Sequence, residues 1–249
     1  MLQVRDLDLH IGGLKILNHL TFDVPDQSIT GLIGPNGAGK SMFFNTLFGL
    51  FQVNGGSIRF NDVELVGKKP HEISHLGIIR TFQDARLLPQ ITVLENLLAA
   101  TRYAEPTTLS RVFFHKKALY QEYLSHVKRA QSLLKRVGLE SKIHAMGKDL
   151  SYGQTKLIEI LKLFMADNQV ILLDEPFSGL FPEMIKIITE LILELVKSGR
   201  TIMLVEHNMK LISEVCNHVI VMDAGTTIAS GTFSQIRSKS AVAEAYLGD

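Results

Sequence analysis

Ile29-Thr30-Gly31-Leu32-Ile33-Gly34-Pro35-Asn36-Gly37-Ala38-Gly39-Lys40-Ser41-Met42-Phe43-Phe44-Asn45-Thr46-Leu47 is the stretch on which the fold turns. Its first five residues form an apolar run, the pattern of a strand buried on both faces. Residues from Met42 onward read as a helix. Between the two, Gly34–Ser41 fits G-x-x-x-x-G-K-[ST]. Glycines in that spelling let backbone N–H groups turn inward and form a concave nest around phosphate oxygens. Lys40 can reach terminal phosphates, and the Ser41 hydroxyl can ligate Mg²⁺. The helix N-terminus that follows attracts anions. Strand, glycine-rich loop and helix in this order predict an α/β fold built around a phosphate site.

Two further segments narrow the chemistry. Val170-Ile171-Leu172-Leu173-Asp174-Glu175 is an apolar run ending in two carboxylates. In a parallel sheet these would lie at the carboxyl ends of the strands, where such folds bind ligands. Asp174 can hold Mg²⁺ through water, and Glu175 can orient or deprotonate an attacking water. Leu150-Ser151-Tyr152-Gly153-Gln154 has the Ser-x-x-Gln form of a capping box at a helix start. It also resembles the signature L-S-G-G-Q of the ATP-binding cassette (ABC) family, with Tyr152 in the third place. A helix beginning there offers its hydroxyl, N–H groups and positive dipole end to a γ-phosphate.

The resemblance extends over essentially the whole chain. Gln83, in Arg80-Thr81-Phe82-Gln83, is similar to the family's Q-loop glutamine, which touches Mg²⁺ and the attacking water. His207, after Thr201-Ile202-Met203-Leu204-Val205-Glu206, is similar to the switch histidine that contacts the γ-phosphate. The resemblance implies an ABC ATPase core with an antiparallel β-subdomain and an inserted helical subdomain. It implies ATP contacts at Ile11, Gly34, Pro35, Asn36, Gly37, Ala38, Gly39, Lys40, Ser41 and Met42. Ser151, Tyr152, Gly153 and Gln154 of a second copy, or of a related subunit, would close over the same nucleotide. Ser41, Gln83 and Asp174 would hold Mg²⁺, and Glu175, His207 and Gln83 would carry the catalysis. The implied partners are integral membrane permease subunits, a second ATPase subunit and, in a complete importer, a substrate-binding protein.

Ile11-Gly12-Gly13-Leu14, Ile79–Gln83, Ile91–Leu97 and Glu244–Gly248 resemble one subfamily, the ATPases of branched-chain amino-acid uptake. Urea importers and the lipopolysaccharide-export ATPase are near relatives of it. Two positions depart from the family pattern. Ile11 stands where an aromatic residue often stacks on adenine, and Phe181 in Ser178-Gly179-Leu180-Phe181 replaces the usual Asp or Asn of the D-loop. A soluble ABC switch protein would carry a long coiled-coil insertion or a second cassette, and neither is present. A P-loop GTPase would carry Asn-Lys-x-Asp, also absent.

Composition sets the remaining bounds. With 249 residues, 46% of them hydrophobic, the chain can bury a sizeable core. The net charge of +1 gives no field to attract nucleic acid. Cys216 is the only cysteine, so an intramolecular disulfide is excluded. No signal-peptide pattern and no apolar run of ~20 residues occurs, so a soluble cytoplasmic chain is expected; the family resemblance implies a peripheral place on the inner face of the cell membrane. One cassette is expected, with core and β-subdomain over about 1–83 and 168–249 and the helical lobe over about 84–167. Helices are expected over 92–101, 116–137 and from Pro182, and strands at 78–82, 201–205 and 218–222. Asn61-Asp62 is expected to turn a hairpin.

Overall fold

The computed structural model describes residues 1–81, 87–101 and 115–239. Gln83, the loop expected at 103–110 and the segment Glu244–Gly248 lie outside the described residues. The chain folds as two compact units: Met1–Gln83, Asn168–Ser178 and Leu193–Asp249 in the first, Asp84–Asp167 and Gly179–Ile192 in the second.

In the first unit, the apolar run at 29–33 is β3 (Ile29–Ile33), buried at every residue. It pairs in parallel with β8 (Thr201–Val205) and β9 (His218–Asp223). β7 (Val170–Asp174), equally buried, lies between β8 and β6 (Ile78–Arg80). β10 (Thr226–Gly231) returns antiparallel on β9, giving the order β10-β9-β3-β8-β7-β6. Continuous apolar strands demand cover on both faces. Helix α1 (Lys40–Leu47) supplies part of it, with Phe43, Phe44 and Leu47 fully buried.

A second sheet, order β2-β1-β4-β5, joins β1 (Leu2–Ile11), β2 (Leu14–Val24), β4 (Gly55–Phe60) and β5 (Val63–Glu64), all antiparallel. Alternating Leu2, Val4, Leu7 and Leu9 face the same apolar cluster as Phe22, Phe43 and Phe44. Asn61 and Asp62, both with φ in the left-handed region, turn β4 into β5 as expected. Helix α2 (Pro70–His75) has no counterpart among the sequence expectations. It is six residues long, starts on a proline and buries only Ile73, too little apolar periodicity to signal itself.

The second unit is helical. Thr92 caps α3 (Val93–Leu98), accepting from Glu95 N–H, while Glu95 accepts from Thr92 N–H. α4 (Lys116–Arg136) is one continuous helix, ending before Gly138 as expected, with Ala130, Leu133 and Leu134 buried. α5 (Tyr152–Met165) starts at Ser151 and buries nine residues from Lys156 to Met165. Arg136, exposed near the end of α4, holds its guanidinium 5.6 Å from the centre of the Phe164 ring. α6 (Pro182–Lys197) begins at the expected proline. Among the described residues no helix is long and apolar enough to cross a membrane.

Candidate functional site

Strand register places the chemistry. Asp174 pairs with Val205, and Leu32 also pairs with Val205, so β3, β7 and β8 end at one level. Their next residues, Gly34, Glu175 and Glu206–His207, therefore emerge along one carboxyl edge, where parallel sheets bind ligands.

The loop after β3 is shaped by contact from below. A Cβ on Gly34 would stand 2.1 Å from the Met222 carbonyl oxygen, whereas one on Gly37, at φ +84°, would meet nothing within 4 Å. Gly34 lets the backbone pass close to β9; Gly37 supplies a left-handed turn with its outer face open. Ala38 N–H donates to Pro35 O, and Gly225 N–H donates to Ala38 O, fastening the loop to the turn between β9 and β10. Lys40 is buried, and its Nζ donates to the carbonyl oxygens of Gly34 (2.7 Å) and Pro35 (2.9 Å). Burial holds this ammonium below the usual lysine range, while the Glu175 and Asp174 carboxylates pull it back up. The first intrahelical bond of α1 runs from Phe43 N–H to Gly39 O, so the amides just before Phe43 point out of the helix start.

A cleft of about 330 Å³ opens over this loop, lined by Ile16, Asn36, Gly37, Gly39, Lys40, Ser41, Met42, Glu175, Val205 and His207. Glu175 enters it from a strained backbone, with φ +47°, a region non-glycine residues rarely occupy outside constrained sites. Its N–H is held by Val205 O at 3.0 Å. His207 Nε2 lies 3.0 Å from Glu175 Oε1. Asp174, one residue earlier, is buried against Arg80, whose Nη2 donates to Oδ2 at 2.9 Å. Arg80 Nη1 reaches Asn45 Oδ1 on α1, and its guanidinium lies 5.7 Å from the Phe44 ring centre.

The arrangement suits a polyphosphate: an open backbone nest, a buried cation and outward amides at a helix start. Ser41 and Glu175 bring to this cleft oxygens of the kind a hard divalent cation takes, whereas Asp174 is not among its lining residues and is bonded to Arg80. Of the residues expected from sequence, Asn36, Gly37, Gly39, Lys40, Ser41, Met42, Glu175 and His207 meet in this one cleft. Ile11 is not among its lining residues; it is 39% exposed at the end of β1, paired with Leu14, and Ile16 supplies the cleft's aliphatic wall. Ser151–Gln154 belong to the second unit. There Ser151 Oγ accepts from Gln154 N–H (3.3 Å) and Gln154 Oε1 accepts from Ser151 N–H (3.0 Å), the full capping box. Tyr152 packs on Gly179, whose Cβ position lies 3.3 Å from the Tyr152 ring, and Phe181 is 79% exposed. Ile16, Arg80 and Glu206 were not singled out by sequence. Only Arg80, a cation inside an otherwise apolar strand, carried a local signal.

Comparison with known proteins agrees with this chemistry. A family described as ABC transporter matches residues 17–178. The chain is 36% identical over 250 residues to the high-affinity branched-chain amino acid transport ATP-binding protein LivG of Escherichia coli (strain K12), covering all of this chain and 98% of that one. It is 35% identical over 250 residues to the corresponding protein BraF of Pseudomonas aeruginosa, with the same coverage. A nucleotide-free ATP-binding cassette from an ABC transporter superposes with a TM-score of 0.82 at 31% identity, covering 100% of this chain and 99% of that one. The ADP conformation of the cassette MJ1267 superposes at 0.81 with 28% identity and the same coverage.

Proposed function

The chain belongs to the ABC transporter family, and from that premise we propose that it is the ATPase subunit whose hydrolysis of ATP powers import of branched-chain amino acids or a similar small polar solute. It works with integral membrane permease subunits, a second ATPase subunit and a substrate-binding protein, from the cytoplasmic face of the membrane. The one observation that carries the catalytic reading is the Glu175–His207 pair, 3.0 Å apart, facing Lys40 and Ser41 across one cleft.

The division of labour follows from the chemistry of each group. Lys40 and the outward amides of the loop hold the terminal phosphates. Ser41 and Asp174, with Gln83, would hold Mg²⁺, whose charge would offset that of the phosphate oxygens. Glu175 takes the proton of the attacking water, and His207 fixes the carboxylate through Nε2. Ser151 to Gln154 of a second copy present a capped helix start to the γ-phosphate. Closure of two copies excludes water other than the one that reacts. The base is met by aliphatic contact from Ile16.

Glu175→Gln tests the assignment. The amide keeps size and polarity but accepts no proton, so ATP binding persists while turnover falls by ~10²–10⁴-fold. Steady-state ATPase activity equal to wild type in the purified variant would sink the catalytic role.

A further inference from the structure

Glu206 has no part in the chemistry above, yet it sits at the centre of it. Its side chain is 6% exposed, and a carboxylate that deep requires partners. Both oxygens have one. Oε1 accepts from the Phe177 N–H at 3.3 Å, and Oε2 accepts from the His207 N–H at 3.1 Å. These donors sit on two different loops. Phe177 lies two residues beyond Glu175, after β7; His207 follows β8.

Around Glu206 the contacts close a ring. Glu175 N–H donates to Val205 O, the residue before Glu206, and Glu175 Oε1 meets His207 Nε2. The ring is thus completed through the backbone at one end and through the two reactive side chains at the other. We infer that Glu206 is a positioning residue for hydrolysis: its carboxylate pins the Glu175 loop to the His207 loop and so sets the 3.0 Å meeting of those side chains. The inference rests on the roles given to Glu175 and His207 under Proposed function.

The residue type fits the task. Two N–H groups arriving from different loops need two acceptor oxygens on one short arm, which a carboxylate provides and an amide does not. Glutamine would turn its NH₂ against one of the two donors. Burial lifts the Glu206 carboxyl above the usual range, the His207, Phe177 and Asn208 amides draw it back, and the nearby Glu175 carboxylate raises it again. The clamp is therefore held by backbone amides rather than by a counter-ion.

The test compares Glu206→Gln, Glu206→Asp and Glu175→Gln in the full chain. With Glu206→Gln, affinity for a fluorescent ATP analogue should stay within about twofold and KM should hold. A displacement near 1 Å costs about 100-fold, so kcat should fall by about 10- to 100-fold. Amide hydrogen exchange at Phe177 and His207 should accelerate together. Glu206→Asp, which keeps two oxygens, should recover more of kcat than Glu206→Gln. Wild-type kcat in Glu206→Gln, or unchanged exchange at both amides, would overturn the inference. If Glu206→Gln does not fold, exchange in the wild type decides: no protection at Phe177 and His207 would also overturn it. Wild-type turnover by Glu175→Gln would instead remove the underlying catalytic reading, leaving the two failures separable.

Discussion

Arg80→Met should unfold the chain far more readily than any comparable change on its surface. Arg80 and Asp174 are each 5% exposed in their side chains and meet at 2.9 Å. Methionine keeps much of the apolar stem, so the packing over Phe44 is largely conserved. What is lost is the charge opposite Asp174 and the bond to Asn45. Removing one partner of a buried ion pair costs about 3–5 kcal/mol, because the survivor is left charged and unpaired. Total stability of a domain is about 5–15 kcal/mol, so a large share is at stake. In a chain of this size 1 kcal/mol moves Tm by about 2–4 °C, which places the loss at about 6–20 °C. Urea unfolding of the nucleotide-free chain, followed by far-ultraviolet circular dichroism, measures it directly. Adding Asp174→Asn removes the orphaned charge, so the double variant should regain more than half of the loss. A cost below about 1 kcal/mol for Arg80→Met, or no recovery in the double variant, would refute the reasoning: the pair would then behave like an exposed one.

Other outcomes follow from the same geometry. Ser151→Arg should leave monomer nucleotide affinity unchanged yet prevent ATP-driven dimerisation in the Glu175→Gln background, read by size-exclusion chromatography; a dimer that still forms would refute the role of the capped helix start. Ile16→Ala should weaken ATP binding, whereas Ile11→Tyr, at a position that does not line the cleft, should leave it within about twofold; competition titrations with ATP and GTP separate the two residues, and a gain of up to about tenfold in Ile11→Tyr, the size that stacking of ~0.5–1.5 kcal/mol provides, would put the base at Ile11 instead. Burial pushes the Cys216 thiol up to about 12 from 9.0. Above pH 9.0 the unfolded chain therefore sheds a proton that the folded chain keeps, and this contribution to stability, whole below pH 9.0, drains away as pH rises toward 12; Cys216→Ala should lack that alkaline component in urea titrations.

Local patterns told most of the fold. Apolar runs at 29–33, 170–174 and 201–205 became buried parallel strands because nothing but a covered sheet suits them. The helix from Pro182 and the capped helix at Ser151 announced themselves by their first residues. Features that depend on distant partners were silent. Arg80 and Asp174 stand 94 positions apart, and neither residue's neighbours disclose the other. Glu206 looked like one polar residue before His207, since its partners are backbone amides, which carry no side-chain signature. Ile16 lay hidden in the alternation of β2, where Ile11 drew attention through its place beside the glycine pair. β6 ends at Arg80, short of the strand expected to run to Phe82.

The uneven crowding around the phosphate loop also shapes what sequence drift can do there. At Gly37 the obstacle is conformational alone, and Asn or Asp, which tolerate left-handed backbone, are reachable neighbours. At Gly34 any side chain would collide with the carbonyl of Met222, and the fixed backbone of β9 offers no rotamer to yield. Change at Gly34 must therefore wait on prior change in a strand nearly two hundred positions away, whereas at Gly37 no protein atom stands in the way and the limit is set by the cleft it lines. Two glycines of one motif, three residues apart, are thus held by different constraints, one by a neighbouring strand and the other by its own backbone angle.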